Sequence, residues 1–292
     1  QGFLVAAEKP KLGFIFTIIA GFTNIVLDAL FVALFKWGLV GAASATAISW
    51  TAGAILPLIY LLSKKNNSLL HFVKPKIELK AFGKVITNGS SELLANISVS
   101  LLNVLYNHQL ISLVGENGVA AYGTMQYVCF LFMAAFFGYN VGVGPVISYN
   151  YGAKNVEELK NVTRKSFVIV SIISTFMTIL GISCSRLLAN IYVGYNKEIC
   201  DLTTYGFRFY SLGFVIMGIN CFASALFTSL NNGPISLVIS SGRTLVFQII
   251  SVFVLPLIFG PNGIWFAFAC SEILSLIVSI AFIFGKQKQY HY

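Results

Sequence analysis

Residues 13–62 read GFIFTIIAGFTNIVLDALFVALFKWGLVGAASATAISWTAGAILPLIYLL, and this stretch decides the fold. It holds two apolar runs, about Gly13 to Phe35 and Leu39 to Leu62, with only Lys36-Trp37-Gly38 between them. A helix rises about 1.5 Å per residue, so each run is long enough to cross a hydrocarbon layer of about 30 Å. A linker of three residues makes the two an antiparallel hairpin. The same composition continues outward: of 292 residues, 57% are apolar and 10% charged, against roughly 45–50% and about 25% in an ordinary soluble domain. A water-soluble globule is excluded. The expectation is an all-α polytopic membrane protein with eight transmembrane helices.

The remaining spans are about Val85 to Val114, Val119 to Tyr149, Ser166 to Ile191, Leu202 to Leu230, Ile235 to Phe259 and Ile264 to Gly285. Gly, Pro, Asn and Lys punctuate them. The third and fourth exceed twenty residues and should tilt or project from the bilayer. Gly142, Gly144 and Pro145 interrupt the fourth; Pro57 and Pro256 fall within the second and seventh. These are either bends that let helices rock or static kinks that shape packing. Asn66 to Lys84 is the one clearly polar stretch. The expected organisation is residues 1–63 as one helical pair, 64–84 as a linker and 85–292 as a six-helix unit. An amphipathic charged stretch (Glu157, Glu158, Lys160, Arg164, Lys165) leads into the fifth span.

Charge sets orientation. One side of the spans takes fourteen Lys/Arg, and the other takes Lys36, Arg186 and Lys197. This is a strong positive-inside bias, so the linker and the C-terminus are expected in the cytoplasm. The formal charge of +9 is therefore a topology signal and not a nucleic-acid footprint. Cys129, Cys184, Cys200, Cys221 and Cys270 form no CxxC pair, and three histidines are equally dispersed. No disulfide framework, metal cluster, cofactor or enzyme chemistry is indicated. The chain starts at Gln1 with no signal-peptide pattern, and it is expected to begin inside a longer protein.

An internal repeat shows as well. Pro10, an apolar run, Gly41 and Ser49 are echoed by Pro234, an apolar run, Gly263 and Ser271, the last two at one common offset. Spans one and two thus look like spans seven and eight. Spans three to eight form one complete unit, and spans one and two are the tail of an earlier one.

Four stretches then resemble a known family: Asn24-Ile25-Val26-Leu27-Asp28, Gly41-Ala42-Ala43-Ser44-Ala45-Thr46-Ala47-Ile48-Ser49, Ala120-Ala121-Tyr122-Gly123, and Gly144 through Ala153. Their order and spacing are similar to those of the multidrug and toxic compound extrusion (MATE) transporters. The resemblance implies two six-helix lobes joined by a cytoplasmic linker, with the present spans as helices five to twelve. The four missing N-terminal helices, which in the family carry a proton-coupling aspartate, would be partners in the same protein.

Ionisable groups inside a span cost several kcal/mol, so each needs a reason. Asp28 lies one turn after Asn24; the two are either a satisfied polar pair, bonded to each other or to a neighbouring helix, or a functional site. Glu92, Asn96, Asn103 and Asn107 recur at the period of one helix face, which must then face a cavity or another helix. The resemblance implies that Glu92 is an ion-site residue, for Na+ or H+; otherwise the stripe is an interhelix network. Glu272, flanked by Ser271 and Ser275, is open to both readings. Asn140 and Asn220 either line a cavity or bridge helices. Arg208 and Arg243 lie near membrane ends and are expected to snorkel, which leaves the deep charges mainly acidic.

An acidic cavity favours a small organic cation as the partner, alongside membrane lipid. The leading expectation is a cation-coupled antiporter, driven by Na+ or H+, that exports organic cations or drugs across the plasma (inner) membrane. The alternatives are a lipid-linked oligosaccharide flippase, which wants a cationic cavity, and a non-transporting fragment. A membrane-embedded enzyme would need a His/Asp or Cys/His pairing, and none is visible.

Overall fold

The computed structural model describes residues 2–63 and 78–290. The linker lysines Lys64, Lys65, Lys74 and Lys76 lie outside the described residues. Every element among the described residues is helical. Contacts divide the chain into two compact units, Gln1–Ile77 and Glu78–Tyr292.

The first unit holds α1 (Gly2–Ala6), α2 (Pro10–Asp28), a π-helical segment Ala29–Leu34 and α3 (Gly38–Leu62). Pro10 opens α2 at a position where a missing N–H costs nothing. Lys36 and Gly38 adopt left-handed φ of 54° and 55°, and between them the chain reverses. Phe31 and Trp37 stack across this turn with centroids 5.0 Å apart. Helices α2 and α3 pack along each other, as the short linker predicts. Their large side chains point outward: Phe14, Phe22, Ile25, Leu39 and Trp50 are all exposed. Such a surface suits a hydrocarbon solvent and not water.

The second unit holds α4 (Leu79–Leu113), α5 (Glu116–Gly152), α6 (Val156–Ser183), α7 (Ser185–Val193), α8 (Lys197–Ser211) and α9 (Phe214–Ser229). It continues through α10 (Gly233–Ser241), a π-helical segment Gly242–Val246, α11 (Phe247–Phe259), a 3-10 turn Gly260–Asn262 and α12 (Gly263–Tyr290). Helix α9 is the axis of the bundle, touching α5, α6, α10 and α12. Ten of its residues are buried, among them Phe214, Met217, Phe222 and Phe227. The aromatic core extends from it through Phe132, Phe136, Phe207 and Phe268.

The repeat has a structural counterpart. Gly41, Ala45 and Ser49 form the buried ridge of α3, and Gly263, Ala267 and Ser271 are buried at the same spacing in α12. Each ridge belongs to the second helix of a hairpin, α3 against α2 and α12 against α11. Small residues there let the two backbones approach closely.

Several boundaries differ from the sequence reading. Helix α4 begins at Leu79, so Lys80 and Lys84 lie on helix. Helix α5 runs unbroken through Gly142, Gly144 and Pro145. The charged stretch before the fifth span is part of α6: Asn155 caps it by accepting from the Glu158 amide at 3.2 Å, and Glu157 and Glu158 suit a helix N-terminus. That helix stops at Ser183, and α7 follows as a separate turn. The sixth span is two helices, α8 and α9, bent by 50°. The bend sits at Gly213, where a Cβ would come within 2.5 Å of the Phe268 ring.

Five helices among the described residues are long and apolar enough to cross a membrane: Pro10–Leu34, Gly38–Leu62, Glu116–Gly152, Val156–Ser183 and the segment Gly233–Gln287; the bent pair makes a sixth. The amide-rich α4 is not among them.

Candidate functional site

The deepest polar cluster is built on α9 and α12. Asn220 and Glu272 are fully buried and meet: the Asn220 Nδ2 donates to the Glu272 Oε2 at 2.8 Å and to its backbone carbonyl at 3.0 Å. Ser279, one more turn or two along α12, donates to the Asn220 Oδ1 at 2.9 Å. The remaining carboxylate oxygen is taken by Arg243, whose Nη1 donates to the Glu272 Oε1 at 3.1 Å. Every accepting oxygen of the two key side chains is therefore engaged, as a charge withdrawn from water requires.

Arg243 corrects the sequence reading. It does not snorkel to a membrane end; it is 8% exposed and bound to Glu272. Its place is the π-helical segment, whose wider turn closes with the Phe247 amide on the Gly242 carbonyl. Single π turns of this kind are common at functional sites. The charges of this cluster are thus one acid and one base, and it is neutral overall. The expectation that the deep charges are mainly acidic does not hold for this cluster.

The side chain of Glu92 lies outside the described residues. Asn96 and Asn107 are exposed, and Asn103 is half-buried. The ridge that α4 buries is Ser98, Leu102, Tyr106 and Leu110, about a quarter turn from the stripe at 100° per residue. Asn103 does reach a neighbour: its Oδ1 accepts from the Gln126 Nε2 of α5 at 3.4 Å, and Gln126 also donates to the Tyr122 hydroxyl. Tyr106 stacks on Tyr122 with centroids 4.6 Å apart and donates to the Gln248 Oε1 at 3.1 Å. Gln126, Gln248 and Tyr106 were not singled out in the sequence, and Tyr122 stood there only within the stretch Ala120 to Gly123; a glutamine among aromatics at helical spacing was the available signal.

In the first unit the Asn24 Nδ2 and the Asp28 Oδ1 are both buried without a partner, so neither hydrogen bond expected of these atoms forms. Asp28 ends α2 at the start of its π-helical segment. Asn140 lies on α5 with its Oδ1 buried and unpartnered.

Two cavities of the second unit border Arg243. One, of about 70 Å³, is lined by Tyr122, Gln126, Tyr210, Thr244, Gln248 and Arg243, with apolar neighbours. The other, of about 270 Å³, is lined by Asn140, Ser224, Thr228, Ser229, Ser240 and Arg243, again among apolar groups. Among the described residues no group of three His, Cys, Asp or Glu gathers to hold a metal.

The MatE family model matches residues 93–254, more than half of the chain, from within α4 to within α11, a stretch that includes Asn220 and Arg243 of this cluster. The chain belongs to the MatE family. MATE proteins are membrane transporters and not enzymes, so the chain is a multi-pass membrane protein. It is 23% identical over 306 residues to the multidrug export protein MepA of Staphylococcus haemolyticus, covering 99% of this chain and 63% of that one. To MepA of Staphylococcus aureus it is 20% identical over 284 residues, covering 97% and 62%. It thus spans about three fifths of the length of these curated relatives. Among solved structures, a MATE protein in the straight conformation superposes with a TM-score of 0.84 at 22% identity, covering 93% of this chain and 61% of the other. A MOP superfamily transporter from Pyrococcus furiosus, described by the reversed polarity of its binding pocket, gives 0.83 at 22% identity, over 93% and 61%. These likenesses fix the fold as MATE-like.

Proposed function

We propose that this chain is the larger part of a cation-coupled exporter that moves organic cations or drugs out of the cell by alternating access. In this reading eight helices cross the plasma (inner) membrane: α2, α3, α4, α5, α6, the α8–α9 pair, α10–α11 and α12. Residues 1–63 supply the last two helices of an N-terminal lobe and residues 85–292 a six-helix C-terminal lobe. The linker and C-terminus lie in the cytoplasm, and four further helices complete the transporter. The coupling ion is Na+ or H+, with Glu92 as its site and Asn96, Asn103 and Asn107 as neighbouring ligands.

One observation carries this reading: nearly the whole chain aligns with proteins named for multidrug export, over a region that matches the MatE family. A carboxylate on a membrane helix adds physical support, because binding a proton or cation there changes local charge by one unit and biases a helix arrangement. The test uses the intact protein in liposomes with an imposed Na+ or pH gradient, reading efflux of a fluorescent organic cation such as ethidium. Gradient-dependent efflux that Glu92→Gln abolishes is expected. Efflux by Glu92→Gln at the wild-type rate with the same ion dependence would leave Glu92 structural, and no efflux under either gradient would overturn the exporter reading.

A second reading, a flippase for lipid-linked oligosaccharides, draws on Arg243, which lines both cavities. The guanidinium is 8% exposed and bound to Glu272 at 3.1 Å, so it is one buried group and not the cationic cavity that such a substrate wants. The exporter reading is the better supported.

A further inference from the structure

The two cavities of the second unit share a single lining residue, Arg243. Their order along the helices shows how they are stacked. On α5 the smaller cavity takes Tyr122 to Met133 and the larger takes Phe137 to Val141. On α8 and α9 the smaller takes Tyr210 and Met217, and the larger takes Cys221 to Ser229. On the returning segment the order reverses, as antiparallel chain demands: Ser240 lines the larger cavity, Thr244 and Gln248 the smaller, and Arg243 stands between. The cavities therefore follow one another along the helix axes, with the guanidinium as the partition.

Both chambers are wettable. Each volume exceeds what one water needs, and each wall offers several polar partners. On one side the Tyr106 hydroxyl, Gln248, Gln126 and Asn103 form bonded pairs leading toward α4. On the other, the Ser224 and Thr228 hydroxyls meet the Ser236 Oγ at 3.0 and 2.6 Å. The two chambers thus form a file within the bundle, with polar groups among mostly apolar walls, and the Arg243 guanidinium stands between them. A positive group in a narrow, low-dielectric passage repels protons and metal cations, as arginine does in water-selective pores. Glu272 holds that charge in place but is itself fully buried and lines neither chamber, so the file meets the guanidinium and not the carboxylate.

We propose that Arg243 is an electrostatic barrier that stops cations leaking through the six-helix unit. Its purpose rests on the exporter reading, because a coupled exporter loses its driving gradient to any such leak. Its test does not need export. The intact protein is reconstituted without drug, a proton or Na+ gradient is imposed, and its decay is followed with a trapped pH dye and with 22Na+ uptake. Arg243→Gln should accelerate decay at least about tenfold over wild type, as should Arg243→Gln/Glu272→Gln, which is neutral like the native pair. Arg243→Lys and Glu272→Gln both retain the positive charge and should stay as tight as wild type. The contrast between Arg243→Gln and Glu272→Gln separates a barrier from a structural pair, since a structural pair would leak equally when either member is lost. Equal leak from those two variants, or wild-type tightness of the folded Arg243→Gln, would overturn the proposal. Drug efflux in parallel vesicles reports on the exporter reading separately.

Discussion

Replacing Arg243 with methionine should destabilise the protein far more than replacing Arg243 and Glu272 together. At 3.1 Å and an effective dielectric of about 20, the attraction between the two charges is about 5 kcal/mol. Removing the guanidinium leaves a fully buried carboxylate holding only the Asn220 amide, and such losses cost about 3–5 kcal/mol. In Arg243→Met/Glu272→Leu no charge remains to be solvated. The Asn220 Nδ2 still donates to the backbone carbonyl of residue 272, now 3.0 Å away, so it is not orphaned. The double variant should lose no more than about 1.5 kcal/mol, the worth of one hydrogen bond. Glu272→Leu alone should fall between, because the guanidinium it frees faces two chambers that can hold water. The measurement is a double-mutant cycle from unfolding of the purified protein in detergent, followed by tryptophan fluorescence. A coupling of at least about 3 kcal/mol is expected. Additive losses would refute the reasoning, since they would mean that the two charges are solvated independently.

Gly218→Ala should cost about 1–3 kcal/mol in the same assay, because its Cβ would meet Phe136 Cε1 at 2.5 Å and Val170 Cγ1 at 2.9 Å, both deep in the core. Gly123→Ala, with nothing within 4 Å, should be neutral and serves as the control. Ser279→Ala should cost about 1 kcal/mol by removing the hydrogen bond to the Asn220 Oδ1, and a cost near zero would show that water replaces it. Single cysteines at Asn67 and Asn117, in a background without the five native ones, should label from opposite sides of the membrane; labelling from the same side would refute the span assignment.

The hairpin of α2 and α3 was legible because its signals are local: two long apolar runs and the turn residues Lys36 and Gly38. The bend between α8 and α9 was not, since both halves are apolar and Gly213 becomes a corner only when Phe268, far along the chain, seats against it. Asn220 and Glu272 stood out singly as polar residues in apolar helices. Their meeting, across 52 positions of sequence, was not readable without the packing of α9 on α12. Arg243 was misread because its nearness to a membrane end says where a long side chain could reach, not that a carboxylate lies closer. The α4 stripe is a different case. Its amides do share a face, but Leu102, Tyr106 and Leu110 release more free energy on burial and turn the helix their way.

The grip of Asn220 on Glu272 has a mechanical consequence. One amide nitrogen holds both the side chain and the main chain of the same residue, at 2.8 and 3.0 Å. A piston stroke of α12 past α9, or a twist by even one residue, would break both bonds at once and leave a buried carboxylate oxygen without its donor. Tilting the two helices together breaks neither. The bundle is keyed against sliding and free to pivot as one piece.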